Sequence, residues 1–275
     1  MSSGIILATS VVVFKQELEQ ERLSIGGVMR ICADLGIRAL EIRDEANLGL
    51  GGMDVQGEQL REVCKELESL SSDLGVNLIV ASGAALGSEG DYARLLKAIE
   101  CATSLSSPIV RVFPPASAES SSHRDFGCPE IKRLEPILRT AESSGVLLCV
   151  ENTSAPEGSI HRIADLVDSV ESQLGVSLGI TFDTGNCVMN DMDGSALDAM
   201  RTAGSRVRYV HLKDVRRDED LSLTDCGPGT GIVDFGAVFS ELARNSFRGY
   251  ACFEFGGAGE GFMALEKALD HITRY

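Results

Sequence analysis

Short apolar runs alternate with longer segments of helical periodicity along the whole chain. The runs are Ile5–Ala8, Ala39–Ile42, Asn77–Ala81, Ile109–Phe113, Leu147–Glu151, Leu178–Asp183, Val207–Lys213 and Tyr250–Phe255. Their length and β-branched content suit strands, and their near-continuous hydrophobicity suits a parallel sheet buried on both faces. Between them, apolar residues recur at helical spacing, as in Leu60, Val63, Leu67, Leu70 and Leu74. Comparable stripes include Val28–Leu35, Leu95–Ile99, Ile131–Leu138, Ile163–Val170 and Val238–Leu242. Four segments end alike, in glycine followed by a β-branched residue: Gly36-Ile37, Gly75-Val76, Gly145-Val146 and Gly175-Val176. Glycine in the left-handed conformation stops a helix and turns the chain into the next strand.

Eight strand–helix repeats predict an α/β fold, a single (β/α)8 TIM barrel spanning 1–275. An open doubly wound sheet is the alternative. It calls for a Gly-rich phosphate loop after the first strand, yet no glycine follows Ala8 before Gly26. The Ser-rich segment 116–123 after the fourth run reads as a surface loop or as a lid over a barrel mouth.

The 275 residues carry 25 basic and 41 acidic side chains, a net charge of −16. That balance argues against nucleic acid or an anionic membrane surface as a partner, since both need a positive field. No apolar run approaches the ~18 residues that would cross a bilayer. Ile5–Phe14 is apolar but has no basic segment before it, so it reads as a strand and its loop rather than a signal peptide. Eight cysteines occur without CxxC spacing, several inside apolar runs. Buried thiols in a reducing cytoplasm are the expectation.

In a (β/α)8 barrel, chemistry gathers at the C-terminal ends of the strands. Four consecutive runs end in Glu151, Asp183, His211 and Glu254, and period-two counting directs all four inward. Three carboxylates and an imidazole converging in one buried space need a cation or protons. Hard oxygen donors with one nitrogen suit Mn²⁺ or Mg²⁺, and also admit Co²⁺ or Zn²⁺. Nearby polar residues are candidates for substrate contact: Arg43 and Arg111 at strand ends, Asn152 and Asn186 beside the ligands, and Arg216 in the following loop. Lys213 lies two residues beyond His211, where it either hydrogen-bonds a substrate oxygen, holds a carboxylate in place, or pairs with a neighbouring acid such as Asp214.

Val150-Glu151-Asn152, Phe182-Asp183-Thr184-Gly185-Asn186, His211-Leu212-Lys213-Asp214, Phe253-Glu254 and the glycine turn Pro228–Phe235 together resemble the xylose isomerase-like TIM-barrel superfamily of sugar-phosphate isomerases and epimerases. The resemblance implies that Glu151, Asp183, His211 and Glu254 hold one divalent metal. It also implies that Glu151 and Glu254 act as the catalytic acid and base. Isomerisation or epimerisation of a sugar or related polyhydroxy carbonyl compound, through an enediolate, is the implied activity. The alternatives are a dehydratase of the inosose or dehydroshikimate type and a non-catalytic ligand-binding barrel. A homodimer is common in the resembled family. One departure weakens a ketose 3-epimerase assignment: those enzymes carry histidine three residues after the sixth-strand aspartate, where this chain has Asn186. The superfamily's DNA-repair branch uses several histidines, whereas this chain has four in all, with His161 and His271 in helical segments.

Overall fold

A computed structural model describes residues 4–44, 48, 57–115, 128–190, 193–256 and 261–275. The loop 116–123 lies outside the described residues. Strands β1 (Ile5–Ser10), β2 (Ala39–Arg43), β3 (Asn77–Ala85), β4 (Ile109–Phe113), β5 (Leu147–Glu151), β6 (Gly179–Asp183), β7 (Val207–Leu212) and β10 (Gly249–Phe253) pair in parallel and close into a barrel in that order. The principal helices are α2 (Ile25–Asp34), α3 (Gly57–Leu74), α4 (Tyr92–Ser104), α5 (Cys128–Ser143), α6 (Ile160–Leu174), α9 (Phe235–Arg244) and α10 (Gly261–Ile272). The expected (β/α)8 barrel is therefore the observed fold.

Several elements differ from the sequence pattern. A short helix, α1 (Lys15–Glu19), precedes α2, and two short helices, α7 (Thr184–Met189) and α8 (Ala196–Ala203), fill the β6–β7 crossover. A hairpin of β8 (Asp214–Arg217) and β9 (Leu223–Cys226) leaves the top of β7, with Val215 opposite Asp225 and Arg216 opposite Thr224. Its strands are too short and too polar to stand out in a hydrophobicity pattern.

Helix ends follow their local sequence. Ser24 accepts from the amide of Gly27 at 3.1 Å to start α2, and Asp234 accepts from Ala237 at 2.9 Å to start α9. The four helix-stop glycines all have positive φ, and a Cβ added at any of them would meet nothing within 4 Å. They are required by backbone conformation rather than by crowding.

Side chains alternate between two cores. Outward residues of the strands pack beneath the helices in one continuous cluster. Inward residues Ala8, Ala39, Ile79, Ile109, Cys149, Tyr209 and Cys252 form a second cluster that plugs the barrel. Two residues further along each strand stand Ser10, Glu41, Ala81, Arg111, Glu151, His211 and Glu254, all buried. With period-two alternation, the layer above the apolar plug is thus polar and charged. All seven described cysteines are free and buried. Among the described residues, no helix is long and apolar enough to cross a membrane.

Replacing Gly175, which ends α6 at φ 62°, with alanine imposes a left-handed conformation on a β-carbon. A loss of about 1 kcal/mol in urea unfolding is expected. Unchanged stability would contradict a conformational role for this glycine.

Candidate active site

Each acid in the charged layer is held by its own local structure. Asp183 ends β6 and caps α7: its Oδ1 accepts from the amides of Gly185 at 2.9 Å and Asn186 at 2.8 Å. An N-cap aspartate is stabilised by orphan amides and by the helix dipole. Capping with one oxygen leaves Oδ2 directed at the site. Glu151 ends β5, and its two oxygens meet different partners: Oε1 lies 2.9 Å from His211 Nδ1, and Oε2 lies 3.2 Å from Arg111 Nε. Glu254, just past β10, faces Arg43 Nη2 at 3.0 Å through Oε1 and Lys213 Nζ at 2.8 Å through Oε2.

Lys213 also reaches Asp183 Oδ2 at 2.8 Å, so it pairs with two site acids and not with Asp214. Asp214 has a different task. Its carboxylate accepts four backbone amides, from Val215, Gly229, Gly231 and Val233, at 2.8–2.9 Å. This ties the glycine turn to the end of β7. A Cβ on Gly231 would lie 2.3 Å from the Val215 carbonyl oxygen, so the turn admits no side chain there.

Arg111 is fully buried. It donates to the Ser82 carbonyl at 3.0 Å and lies over the Phe113 ring, 4.5 Å from its centroid. Ser82 in turn donates to Asp44 at 2.5 Å, and Arg94 binds both Asp44 oxygens at 2.6 and 2.9 Å. Arg111 is therefore braced on the wall of the site. Asn152 spends both ends of its amide on the Asp183 backbone, with its Oδ1 accepting from Asp183 N at 2.7 Å and its Nδ2 donating to Asp183 O at 3.0 Å. It pins β5 to β6. Asn186 donates to the Asn152 carbonyl at 3.0 Å, with its Oδ1 3.5 Å from Lys213 Nζ. Arg216 is not brought into the cluster: it stands 60% exposed on the hairpin, paired with Asp218 at 3.0 Å.

Glu41 belongs to the site although it does not end a strand. Its Oε2 lies 2.9 Å from His211 Nε2 and accepts from the Tyr209 hydroxyl at 2.9 Å. The available signal was an acid inside an apolar run, two positions before Arg43, where inward alternation places it beneath the strand top.

Glu151, Asp183, His211 and Glu254 each offer a ligand atom, and these atoms all lie within 4.8 Å of one another. Asp183 Oδ2 and Glu254 Oε2 are buried without a hydrogen bond of good geometry, although each faces the Lys213 ammonium. Three carboxylate oxygens and one imidazole nitrogen form a donor set that fits a divalent cation.

Without a metal, the buried groups set one another's protonation. Burial alone would lower the His211 pKa, but Glu41 and Glu151 outweigh it and hold the imidazole up to about 10. Burial would raise Glu41, yet His211, Arg111 and Arg43 bring it down to about 2. Glu151 is likewise lowered, with Arg111 and His211 overcoming desolvation. For Asp183, burial wins over Lys213 and pushes the carboxyl up to about 6. Lys213 is raised, as Asp183 and Glu254 overcome its desolvation.

A family model described as a xylose isomerase-like TIM barrel matches residues 29–275. The rhizopine catabolism protein MocC of Rhizobium meliloti is 34% identical over 111 residues, covering 35% of this chain and 34% of MocC. An inosose dehydratase of Clostridium perfringens is 32% identical over 128 residues, covering 42% of this chain and 40% of that enzyme. The matches thus span between a third and two fifths of these relatives. The structure of D-allulose 3-epimerase from Methylomonas sp. in complex with D-allulose superposes with a TM-score of 0.74 at 15% identity, covering 98% of this chain and 97% of that one.

In the metal-free protein, a His211 pKa held at about 10 against 6.5 when unfolded adds stability that is fully present below pH 6.5. That stability is lost as pH rises through 10. Urea unfolding should therefore show the stability difference between wild type and His211→Gln shrinking over this window. A difference independent of pH would contradict the protonated, doubly paired imidazole.

Proposed function

The chain belongs to the xylose isomerase-like TIM-barrel family, and from that premise and the geometry of its site we propose a divalent-metal-dependent isomerase or epimerase of a sugar or related polyhydroxy carbonyl compound. The observation that carries this reading is the convergence of Glu151, Asp183, His211 and Glu254 at the ends of neighbouring strands, their ligand atoms within 4.8 Å of one another. These four residues would hold the metal, Mn²⁺ or Mg²⁺ first among the candidates, with Co²⁺ and Zn²⁺ also compatible with the donors. When bound, such a metal polarises a substrate carbonyl and acidifies the neighbouring C–H.

The remaining chemistry is assigned to side chains. Glu151 and Glu254 are both held below the usual carboxylate range: burial opposes this, but Arg111 dominates at Glu151 and Lys213 at Glu254. Both are thus ionised at neutral pH, and either can take the substrate's α-proton. The electron pair left on carbon moves to the carbonyl oxygen, giving an enediolate. Lys213, Arg111 and Arg43 surround the position where that negative charge develops and were placed there before the reaction, which is the condition for electrostatic stabilisation. Four carboxylates (Glu41 included) are balanced by these three cations and the protonated His211. With a divalent cation held by the four residues and His211 neutral, the same groups would carry one positive charge, complementary to an enediolate monoanion.

The proton's destination sets the product. Returned to the neighbouring carbon, while the hydroxyl proton passes from one enediolate oxygen to the other, it isomerises; returned to the opposite face of the same carbon by the second carboxylate, it epimerises. Expulsion of a β-hydroxyl from the same enediolate dehydrates, and the local similarity to inosose dehydratase favours that second reading. A cyclic polyol ketone would then be the substrate class.

Glu254→Gln keeps the side-chain shape and removes a base. Turnover should fall by about 10² or more, with the variant still folded and unfolding cooperatively, at a lower temperature because two buried ion pairs lose their acid. Incubating the Mn²⁺-loaded enzyme with a panel of ketoses and inososes in D₂O should place deuterium at the α-carbon, with the product separating isomerisation from dehydration. Undiminished turnover in Glu254→Gln, or turnover without solvent exchange at that carbon, would contradict the mechanism.

A further inference from the structure

Glu41 and Tyr209 are buried and inward-facing, and neither supplies an atom to the four-residue metal cluster. Tyr209 lies two residues before His211 on β7 and donates its hydroxyl to Glu41 Oε2 at 2.9 Å. The same oxygen lies 2.9 Å from His211 Nε2. A carboxylate only accepts hydrogen bonds, so the proton between Glu41 and His211 sits on Nε2. The same rule puts a proton on Nδ1 toward Glu151 in the metal-free protein. Glu151 belongs to the four-residue cluster and Glu41 does not, so a ring made neutral by a metal there would keep Nε2–H and present its lone pair from Nδ1. That nitrogen faces the site, 2.9 Å from Glu151 Oε1 and 3.9 Å from Asp183 Oδ2. The Tyr209 ring meets the imidazole edge-on, at 4.8 Å between centroids and 79° between planes, which fixes the plane of the ring.

We propose that Glu41, braced by Tyr209, is a positioning residue that fixes the tautomer and plane of His211 so that Nδ1 presents its lone pair to the metal. This inference rests on the metal-site reading above. Glu41, His211 and Cys252 also bring ligand atoms within 4.8 Å of one another. His211 is common to both groups, and its Nε2 is taken up by Glu41 Oε2, which also accepts from Tyr209, so this side of the ring is held by hydrogen bonds. Carboxylate–histidine–metal arrangements work in this way: the outer acceptor sets which ring nitrogen is the ligand and raises its basicity.

The test uses the full chain and Zn²⁺, titrated against a chromogenic chelator. Glu41→Leu removes the acceptor and should weaken Zn²⁺ binding by roughly 10- to 100-fold, whereas Glu41→Gln keeps an acceptor oxygen and should recover most of that loss. Glu41 Oε1 carries no hydrogen bond in the wild type, so the amide nitrogen has a position to occupy. In the Zn²⁺-loaded wild type, ¹⁵N spectra of the histidine rings should show His211 protonated at Nε2 and metallated at Nδ1. That measurement needs no variant, and it stands even if Glu41→Leu fails to fold. Wild-type Zn²⁺ affinity in Glu41→Leu, Glu41→Gln as weak as Glu41→Leu, or the opposite tautomer would each overturn the proposal and leave the metal site standing. A folded wild type that binds no Zn²⁺ would overturn both.

Discussion

Compensation of buried negative charge is the constraint on which the rest of this structure depends. Glu41, Glu151, Asp183 and Glu254 lie in one layer near the top of the barrel, each no more than 6% exposed. Unpaired carboxylates in such a place would be prohibitive. Every one of them meets a cation or an imidazolium, and two of the cations are themselves braced. Arg111 is held by the Ser82 carbonyl and the Phe113 ring, and Lys213 is gripped by two acids. The arrangement costs stability that an apolar layer would not.

The scaffold serves that layer through short-range devices. Asp183 caps α7 with one oxygen and keeps the other for the site. Asn152 zips β5 to β6 beside it. Asp214 gathers four amides of the glycine turn and thereby fixes the strand end that carries His211 and Lys213. A Cβ on Gly185 would lie 2.7 Å from Lys213 Cγ, so the glycine of Asp-Thr-Gly-Asn gives the lysine stem room to cross the start of α7.

Much of this was legible in the sequence, because a parallel barrel strand has two simple rules. Its apolar run marks the strand, and period-two counting from the run's end marks what faces in. Those rules brought out Glu151, Asp183, His211 and Glu254 and placed Arg43 and Arg111 near them. They passed over Glu41, since an acid within an apolar run breaks the expected pattern instead of ending it. They also could not assign partners. Asn152 looks like a substrate contact from its neighbours in sequence, but its amide is occupied by backbone. Arg216 looks near the site because it follows Lys213 by three residues, yet the hairpin carries it outward to Asp218. Pairing across the barrel is a long-range property, and hydrophobic periodicity carries no information about it.

The proposed metal site puts one divalent cation inside the charged layer. Diffraction from crystals grown with Mn²⁺, recorded at the manganese absorption edge, tests it most directly. One anomalous peak coordinated by Glu151, Asp183, Glu254 and Nδ1 of His211 is expected, with Lys213 Nζ moved away from at least one of its two acids. A map with no peak in the barrel, and Lys213 still bridging Asp183 and Glu254, would contradict it.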